Sequence, residues 1–295
     1  MVSIVTPTFN RAYILEKAYN SLKRQTLNSF EWIIIDDGST DSTEELVEVW
    51  INENNSFEIT YFRQENGGKH RALKKAFSMV KYDYVLILDS DDFLTDDAVE
   101  FICNRIEEMK GKSDFAGFSG LRNLGGKTVS SSFKGEYIDC TNLERIKYGL
   151  NVDMAEVYKT EILRKYPFPE FDGENFCSES AVWDRIAMDG YKIRWYNKVI
   201  YNGEYIEDGL TRNLSEEFLA KNFLGFCYCT ELFLKTRKGG QRLNRYGLFY
   251  KVAKLKGYSL RESAKLIKTS TLKMWVGVNY FRLRKFAKRL LKGKK

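Results

Sequence analysis

The stretch Tyr84-Val85-Leu86-Ile87-Leu88-Asp89-Ser90-Asp91-Asp92 decides how this chain is read. Its first five residues form a continuous apolar run of strand length, the pattern of a strand buried on both faces. The next four put three carboxylates at the carboxyl end of that strand, the edge of an open α/β sheet where ligands bind. Carboxylates this close repel one another. The natural reading is a shared hard divalent cation, which takes one or two carboxylates and completes its shell with substrate phosphates. The competing reading is a helix start, with Ser90, Asp91 or Asp92 capping a helix near Asp96 to Met109.

Upstream, one pattern repeats. Strands are expected at Val2 to Val5, Glu31 to Ile35, Ile59 to Phe62 and Val85 to Leu88. Between them lie a helix from Tyr13 to Gln25, a second capped by Asp41 with Glu44 completing a capping box, and a third from Lys69 to Met79. Strands alternating with such helices predict an α/β fold with a mostly parallel sheet covered on both faces. Each strand runs into a polar loop: Thr6-Pro7-Thr8-Phe9-Asn10, Asp36-Asp37-Gly38-Ser39-Thr40-Asp41, Asn66-Gly67-Gly68-Lys69 and Asp89-Ser90-Asp91-Asp92. Each loop alone is an ordinary turn; four on one edge make a site. Gly67-Gly68 allows close backbone approach, and Lys69 opens a helix whose amino end favours anions, which suits a phosphate. Asp36 or Asp37 could accept a base N–H or a ribose hydroxyl. No G-x-G-x-x-G follows the first strand and no P-loop is present, so dinucleotide and ordinary kinase readings lack their fingerprints.

In this order and spacing, Ser3 to Asn10, Ser21 to Thr26, Ile35 to Asp41, Glu65 to Lys69 and Leu88 to Asp92 resemble the nucleotide-binding half of a family 2 glycosyltransferase of the GT-A type. The resemblance covers about the first two hundred residues and weakens after Phe93. It implies inverting transfer of a sugar from a nucleotide-diphosphate donor. It places Thr6, Pro7, Asp37, Gly68, Lys69, Asp89 and Ser90 at the nucleotide sugar, with Pro7 and Asp37 at the base and Gly68 and Lys69 beside nucleotide and phosphate. Asp89-Ser90-Asp91 then matches the acidic DXD motif that holds Mg²⁺ or Mn²⁺, with Asp91 ahead of Asp89 as direct ligand.

Downstream, Phe115 to Tyr137 is β-rich with a hairpin turn at Gly125-Gly126, Met154 to Tyr158 reads as a strand, and Thr160 to Lys165 as a helix. The family commonly carries an acidic pair at the start of the next helix; here that position reads Glu179-Ser180. An inverting transfer needs a carboxylate to take the acceptor hydroxyl's proton, and Glu179 is the candidate. The alternative for Glu179 is a first-turn acid favoured by the helix dipole. Asp184 is assigned to pairing with Arg185 or Lys192 or to capping local structure. Trp183 and Trp195 are read as core ahead of sugar platforms. Tyr205 to Thr211 resembles a loop that closes over the donor. His70 is the only histidine, which excludes a multi-histidine metal site.

Composition divides the chain. The five cysteines have no zinc spacing and suit reduced thiols in a cytoplasm. The amino terminus enters a strand at once, read as no signal peptide, and no apolar run reaches the ~20 residues of a membrane helix. From Arg237 to Lys295, 19 Lys and Arg stand against the single acid Glu262, +18, leaving −11 on the remainder of a chain with net +7. Helices are expected from Ser215 to Leu234, Leu243 to Lys254, Leu260 to Ile267 and from Leu272 onward. In the last, Leu283, Phe286, Ala287 and Leu290 share a face opposite Arg282, Lys285, Arg289 and Lys292, the pattern of an interfacial helix on anionic lipid. A solvated basic face docked on the enzyme is the alternative; nucleic acid has no supporting module.

The expectation is therefore a GT-A catalytic domain at 1–212 (nucleotide-binding half 1–92, acceptor half 93–212) and a helical basic region at 213–295. The protein would be cytoplasmic and peripheral on the inner membrane face, moving a sugar to a glycan or lipid-linked acceptor in bacterial surface polysaccharide synthesis. The alternatives are a metal-dependent nucleotidyltransferase and a non-catalytic basic lipid- or polyanion-binding protein.

Overall fold

A computed structural model describes residues 1–128, 133–150, 153–204 and 214–292. The chain forms two compact units, one of Met1–Phe168 with Arg185–Glu207, the other of Pro169–Asp184 with Asp208–Lys295.

The first unit begins with β1 (Val2–Thr8), α1 (Ala12–Lys23), β2 (Phe30–Asp36), α2 (Thr43–Asn52), β3 (Glu58–Arg63), α3 (Lys69–Met79) and β4 (Tyr84–Ile87). These are the alternating elements expected. They continue through β5 (Phe93–Leu94), α4 (Ala98–Glu108), β6 (Phe115–Leu124), β7 (Lys127–Thr128), β8 (Tyr137–Cys140), a 3₁₀ turn (Arg145–Tyr148), β9 (Ala155–Lys159) and α5 (Thr160–Lys165). Then follow α6 (Ser180–Met188) and β10 (Lys192–Gly203). The sheet order is β3-β2-β1-β4-β9-β6-β10-β5, with β7 on β6 and β8 on β10. β1 pairs in parallel with both β2 and β4, and β2 with β3, so four strands end on one edge. β9 runs antiparallel between β4 and β6.

All seven residues of β1 and of β2 are buried, as a sheet covered on both faces requires. Tyr19 of α1, Trp32 of β2 and Trp50 of α2 stack, with Tyr19 and Trp50 centroids 4.4 Å apart, and the Trp32 indole N–H donates to Thr6 Oγ1 at 2.9 Å. Pro7 lies in a central strand and has no N–H to donate; the ladder between β1 and β4 ends just before it, with Leu88 N–H donating to Val5 O at 2.9 Å. Asp89 to Asp92 is followed by β5, which pairs antiparallel with β10, and α4 begins only at Ala98. The helix-start alternative for the acidic run is thereby overturned. The hairpin at Gly125-Gly126 forms between β6 and β7. No capping box joins Asp41 and Glu44. Asp41 accepts from Thr43 N–H and from Ala12 N–H, joining the starts of α1 and α2, while Glu44 pairs with Arg63.

The second unit contains α7 (Glu216–Lys221), α8 (Phe223–Thr236), α9 (Gly239–Leu255), α10 (Leu260–Leu266) and α11 (Thr271–Lys292). The single helix expected from Ser215 to Leu234 is broken at Asn222, whose side chain donates to Phe218 O and accepts from Asn175 N–H, an alternative to continuing the helix. Glu174 then caps α8: its two oxygens accept from Leu224 N–H at 2.6 Å and Gly225 N–H at 2.8 Å. Asp184 pairs with Arg237 at 3.3 Å and not with Arg185 or Lys192, a long-range partner that local spacing could not reveal. Helices α9 and α11 meet at glycines. A Cβ on Gly277 would stand 2.4 Å from Tyr246 Cβ, and one on Gly247 2.2 Å from Phe281 Cβ, so only glycine permits this approach. All five cysteines are free thiols.

Replacing Glu174 by Ala leaves two amino-terminal N–H groups of α8 without their acceptors. The variant is expected to lose about 1–3 kcal/mol, read as a lower midpoint in thermal denaturation followed by circular dichroism. An unchanged midpoint would show that the cap contributes nothing.

Candidate active site

The four loops at the carboxyl edge of β1 to β4 are joined in series by polar contacts. Asn10 N–H donates to Ser39 Oγ at 2.8 Å, and Asn10 Oδ1 accepts from Thr40 N–H at 2.7 Å, tying the first loop to the second. Asp37 ties the second to the third: its carboxylate accepts from Gly67 N–H at 2.9 Å, Gly68 N–H at 2.6 Å and the Gln64 amide at 2.7 Å. Gly68 caps α3 with φ of 91°, a backbone that a side chain would strain. Lys69 ties the third to the fourth, its Nζ standing 2.6 Å from Asp89 Oδ1.

Asp89, Asp91 and Asp92 each bring a carboxylate oxygen within 4.8 Å of the others. They are not equivalent. Asp92 is buried, and one of its oxygens accepts from Arg122 Nη2 at 2.7 Å and from the Tyr201 hydroxyl at 2.9 Å. The same Tyr201 oxygen accepts from Asp89 N–H at 2.9 Å. Burial, with the charges of Asp89 and Asp92, pushes the Tyr201 hydroxyl far up, which keeps it a donor. Burial also pushes Asp92 up, helped by Asp89 and opposed by Arg122. In Asp89 burial acts upward, but Lys69 and Arg122 outweigh it and hold the carboxyl below its ordinary range. Asp91 is raised by burial and by Asp89, against weaker pulls from Arg11 and Lys69. The donor set is all oxygen, and among the described residues Asp92 Oδ1 is buried without a hydrogen-bond partner and Asp91 makes no ion pair of the kind that Asp89 and Asp92 make with Lys69 and Arg122. These features fit a hard divalent cation.

Of the residues named from sequence, Thr6, Pro7, Asp37, Gly68, Lys69, Asp89, Ser90 and Asp91 all belong to these strand ends and loops. Several are constrained in ways the sequence did not reveal. Thr6 is fully buried with its hydroxyl bonded to Trp32. Asp36 is fully buried too, accepting from Ser39 N–H and the Tyr61 hydroxyl, which leaves Asp37 as the member of that pair nearer the glycine loop. His70 is buried at the second position of α3. Trp195 is wholly buried and donates to Cys140 O, so it is core. Glu179 lies in the second unit, where its carbonyl accepts from Val182 and Trp183 N–H, making it the first residue of the α6 turn. Its neighbours Glu174 and Asp184 are held by α8 and Arg237. Tyr205 to Thr211 lies outside the described residues. Arg122 and Tyr201 were missed; both come from strands far along the chain and carry no local motif.

A family model described as glycosyl transferase family 2 matches residues 3–166, more than half of the chain. The chain belongs to glycosyl transferase family 2. The glycosyltransferase GlyG of Streptococcus pneumoniae is 30% identical over 109 residues, 37% of this chain and 36% of GlyG. A Campylobacter jejuni GalNAc(5)-diNAcBac-PP-undecaprenol beta-1,3-glucosyltransferase is 27% identical over 265 residues, 85% of this chain and 81% of that enzyme. The chain thus spans about a third of GlyG but most of the Campylobacter relative. Among solved structures, Staphylococcus aureus TarS in complex with UDP-GlcNAc superposes with a TM-score of 0.63 at 19% identity, covering 98% of this chain and 91% of that one. The mannosyltransferase PcManGT of Pyrobaculum calidifontis, solved with GDP-Man and Mn²⁺, gives 0.56 at 16%, covering 95% and 86%. These likenesses carry the fold, the GT-A arrangement. The family match favours the glycosyltransferase reading over nucleotidyl transfer.

Tyr201→Phe removes the hydroxyl that supports both Asp92 and the Asp89 backbone. Supporting contacts of this kind change metal affinity by about 10–100-fold, so calorimetric titration with Mn²⁺ should show binding weakened by at least the lower figure. Unchanged affinity would separate Tyr201 from the carboxylate cluster.

Proposed function

We propose that the protein is an inverting, metal-dependent glycosyltransferase that moves a sugar from a nucleoside-diphosphate donor to a glycan or lipid-linked acceptor in bacterial surface polysaccharide synthesis. Residues 1–212 would be its catalytic region. The observation that carries this reading is the serial joining of the four loops into one edge that ends in the Asp89, Asp91 and Asp92 cluster.

Asp91, with Asp89, would hold the divalent cation, Mg²⁺ or Mn²⁺, which supplies positive charge to the departing diphosphate. Lys69 adds a cation at the amino end of α3, where an anion is favoured. Pro7 and Asp37 would bound the nucleobase. The Asp37 carboxylate is oriented by its three donors, so its position is set before the nucleotide arrives. Because Gly68 N–H is directed to Asp37, Gly68 would face the nucleotide through its Cα, and Thr6 through its backbone. Ser90 completes the loop around the pyrophosphate.

Inversion requires one displacement. The acceptor hydroxyl attacks the anomeric carbon, its proton passes to a carboxylate, and the nucleoside diphosphate leaves from the opposite face. Glu179 is the proposed base. Glu179 opens α6, the position at which the family resemblance places its acid.

The lipid-linked acceptor of the Campylobacter relative, taken with the basic helices of this chain, supports work at the cytoplasmic membrane face. The association proposed is peripheral, through those basic helices; no helix among the described residues is long and apolar enough to cross a membrane.

The test is a panel of nucleotide sugars assayed for metal-dependent transfer and slow donor hydrolysis. Asp91→Asn should lower both by about two orders of magnitude or more while leaving the ligand-free melting temperature nearly unchanged. Glu179→Gln should lower transfer by about 10²–10⁴-fold with nucleotide affinity intact. Normal turnover in the Asp91 variant at saturating metal would refute the metal role. Equal loss of donor binding in the Glu179 variant would make that residue structural.

A further inference from the structure

The outward face of α11 has the composition of a membrane-contact surface. At 3.6 residues per turn, Leu272, Trp275, Val276, Leu283 and Phe286 fall within an arc of about 100°. All are exposed, Leu272 by 70%, Leu283 by 69%, Phe286 by 62% and Trp275 by 56%. The opposite face is already occupied: Met274 and Val278 are buried, and Gly277 lets the helix close on α9. Packing on α9 therefore leaves the apolar stripe uncovered. It is not the seam that holds the helix to its unit. A groove of about 400 Å³ between α9 and α11 continues it, lined by Leu243, Tyr246, Leu272 and Val276 with Arg242 and Lys273 at its margin.

Cations stand around this stripe, Arg282 and Lys273 nearest to it by the same helical spacing and Arg284 and Lys285 farther round the helix. Lys273, Arg282, Arg284 and Lys285 are exposed on α11, which carries no acid. From Arg237 to Lys295 the one acid, Glu262, is engaged in the capping box of Ser259 at the start of α10. An exposed apolar stripe this long marks an interaction site, and no helix among the described residues is long and apolar enough to cross a membrane. The cations around it select an anionic partner, and the exposed indole of Trp275 suits the headgroup boundary.

We propose that α11 lies in the plane of an anionic bilayer, with Leu272, Trp275, Val276, Leu283 and Phe286 below the headgroups and the α9–α11 groove in contact with lipid chains. The inference rests on the reading of the protein as a peripheral enzyme and assigns the surface that makes it so.

The full chain is sedimented with vesicles of phosphatidylcholine alone and of equimolar phosphatidylcholine and phosphatidylglycerol, at low and high salt, with nucleotide-sugar hydrolysis measured in the same preparations. Binding should require phosphatidylglycerol and weaken with salt. Leu283→Glu combined with Phe286→Glu should lower binding by about tenfold or more, with melting temperature and hydrolysis unchanged. Bromine-labelled acyl chains should quench the fluorescence of the bound protein chiefly through the exposed Trp275, because Trp32, Trp50 and Trp195 are buried and Trp183 is half-buried. Trp275→Phe should abolish most of that quenching while binding persists. Native binding that ignores lipid charge, a double variant that binds as the native chain does, or quenching that survives Trp275→Phe would overturn the proposal. A concentration-dependent dimer broken by the double variant, without vesicle binding, would assign the stripe to a second copy and overturn it too. Normal vesicle binding with no hydrolysis of any nucleotide sugar would refute the enzymatic reading and leave this surface standing.

Discussion

Three carboxylates crowded at the end of one strand are the constraint around which the sheet is arranged. Left alone, Asp89, Asp91 and Asp92 would repel one another in a partly buried setting, where such repulsion is strong. The fold answers with charges from different parts of the chain: Lys69 from the start of α3 and Arg122 from β6, with the Tyr201 hydroxyl from β10 bonded to both Asp92 and the Asp89 backbone. Strands β6 and β10, though far along the chain from β4, are therefore part of the acidic site. Among the described residues, Asp89 and Asp92 are ion-paired with Lys69 and Arg122, and no ion pair joins Asp91 to a protein cation.

The loop staples serve the same end. Asp37 accepts three hydrogen bonds that fix the glycine loop, and the glycine loop positions Lys69 against Asp89. A chain of polar contacts thus runs from the first loop to the fourth through Ser39, Asp37 and Lys69. Groups held in this way before a ligand arrives have less freedom left to lose on binding.

Much of this was legible in the sequence because its signals are local. Apolar runs ending in polar loops predicted β1 to β4, and Lys69 to Met79 emerged as a helix with the expected bounds. The acidic run announced itself through a repulsion that any reader of charges can see. Other features were hidden because their partners lie far away in the chain. Arg122 stands 30 residues from Asp92 and Tyr201 109, and neither sits in a motif. Asp184 paired with Arg237, 53 residues on, instead of with a neighbour. Glu174 resembled any loop acid until α8 was seen to begin beside it. The exposed stripe of α11 was half legible: Leu283 and Phe286 were identified from their spacing, whereas Leu272, Trp275 and Val276 joined them only once the packing of α9 showed which face was left. The division of charge, +18 from Arg237 onward and −11 elsewhere, has a physical consequence of its own. An acidic protein is repelled by an anionic surface within about a Debye length, and a basic helical region offsets that repulsion.

The central claim is that the carboxylate cluster and the strand-end loops bind a nucleoside diphosphate and a divalent cation together. Calorimetric titration of UDP and GDP into the native protein, with Mn²⁺ and with chelator, tests it most directly. Coupling between two ligands is reciprocal, so the account predicts that Mn²⁺ tightens nucleotide binding by about tenfold or more and that the nucleotide tightens Mn²⁺ binding by the same factor. Nucleotide affinity that is the same with Mn²⁺ and with chelator would contradict it.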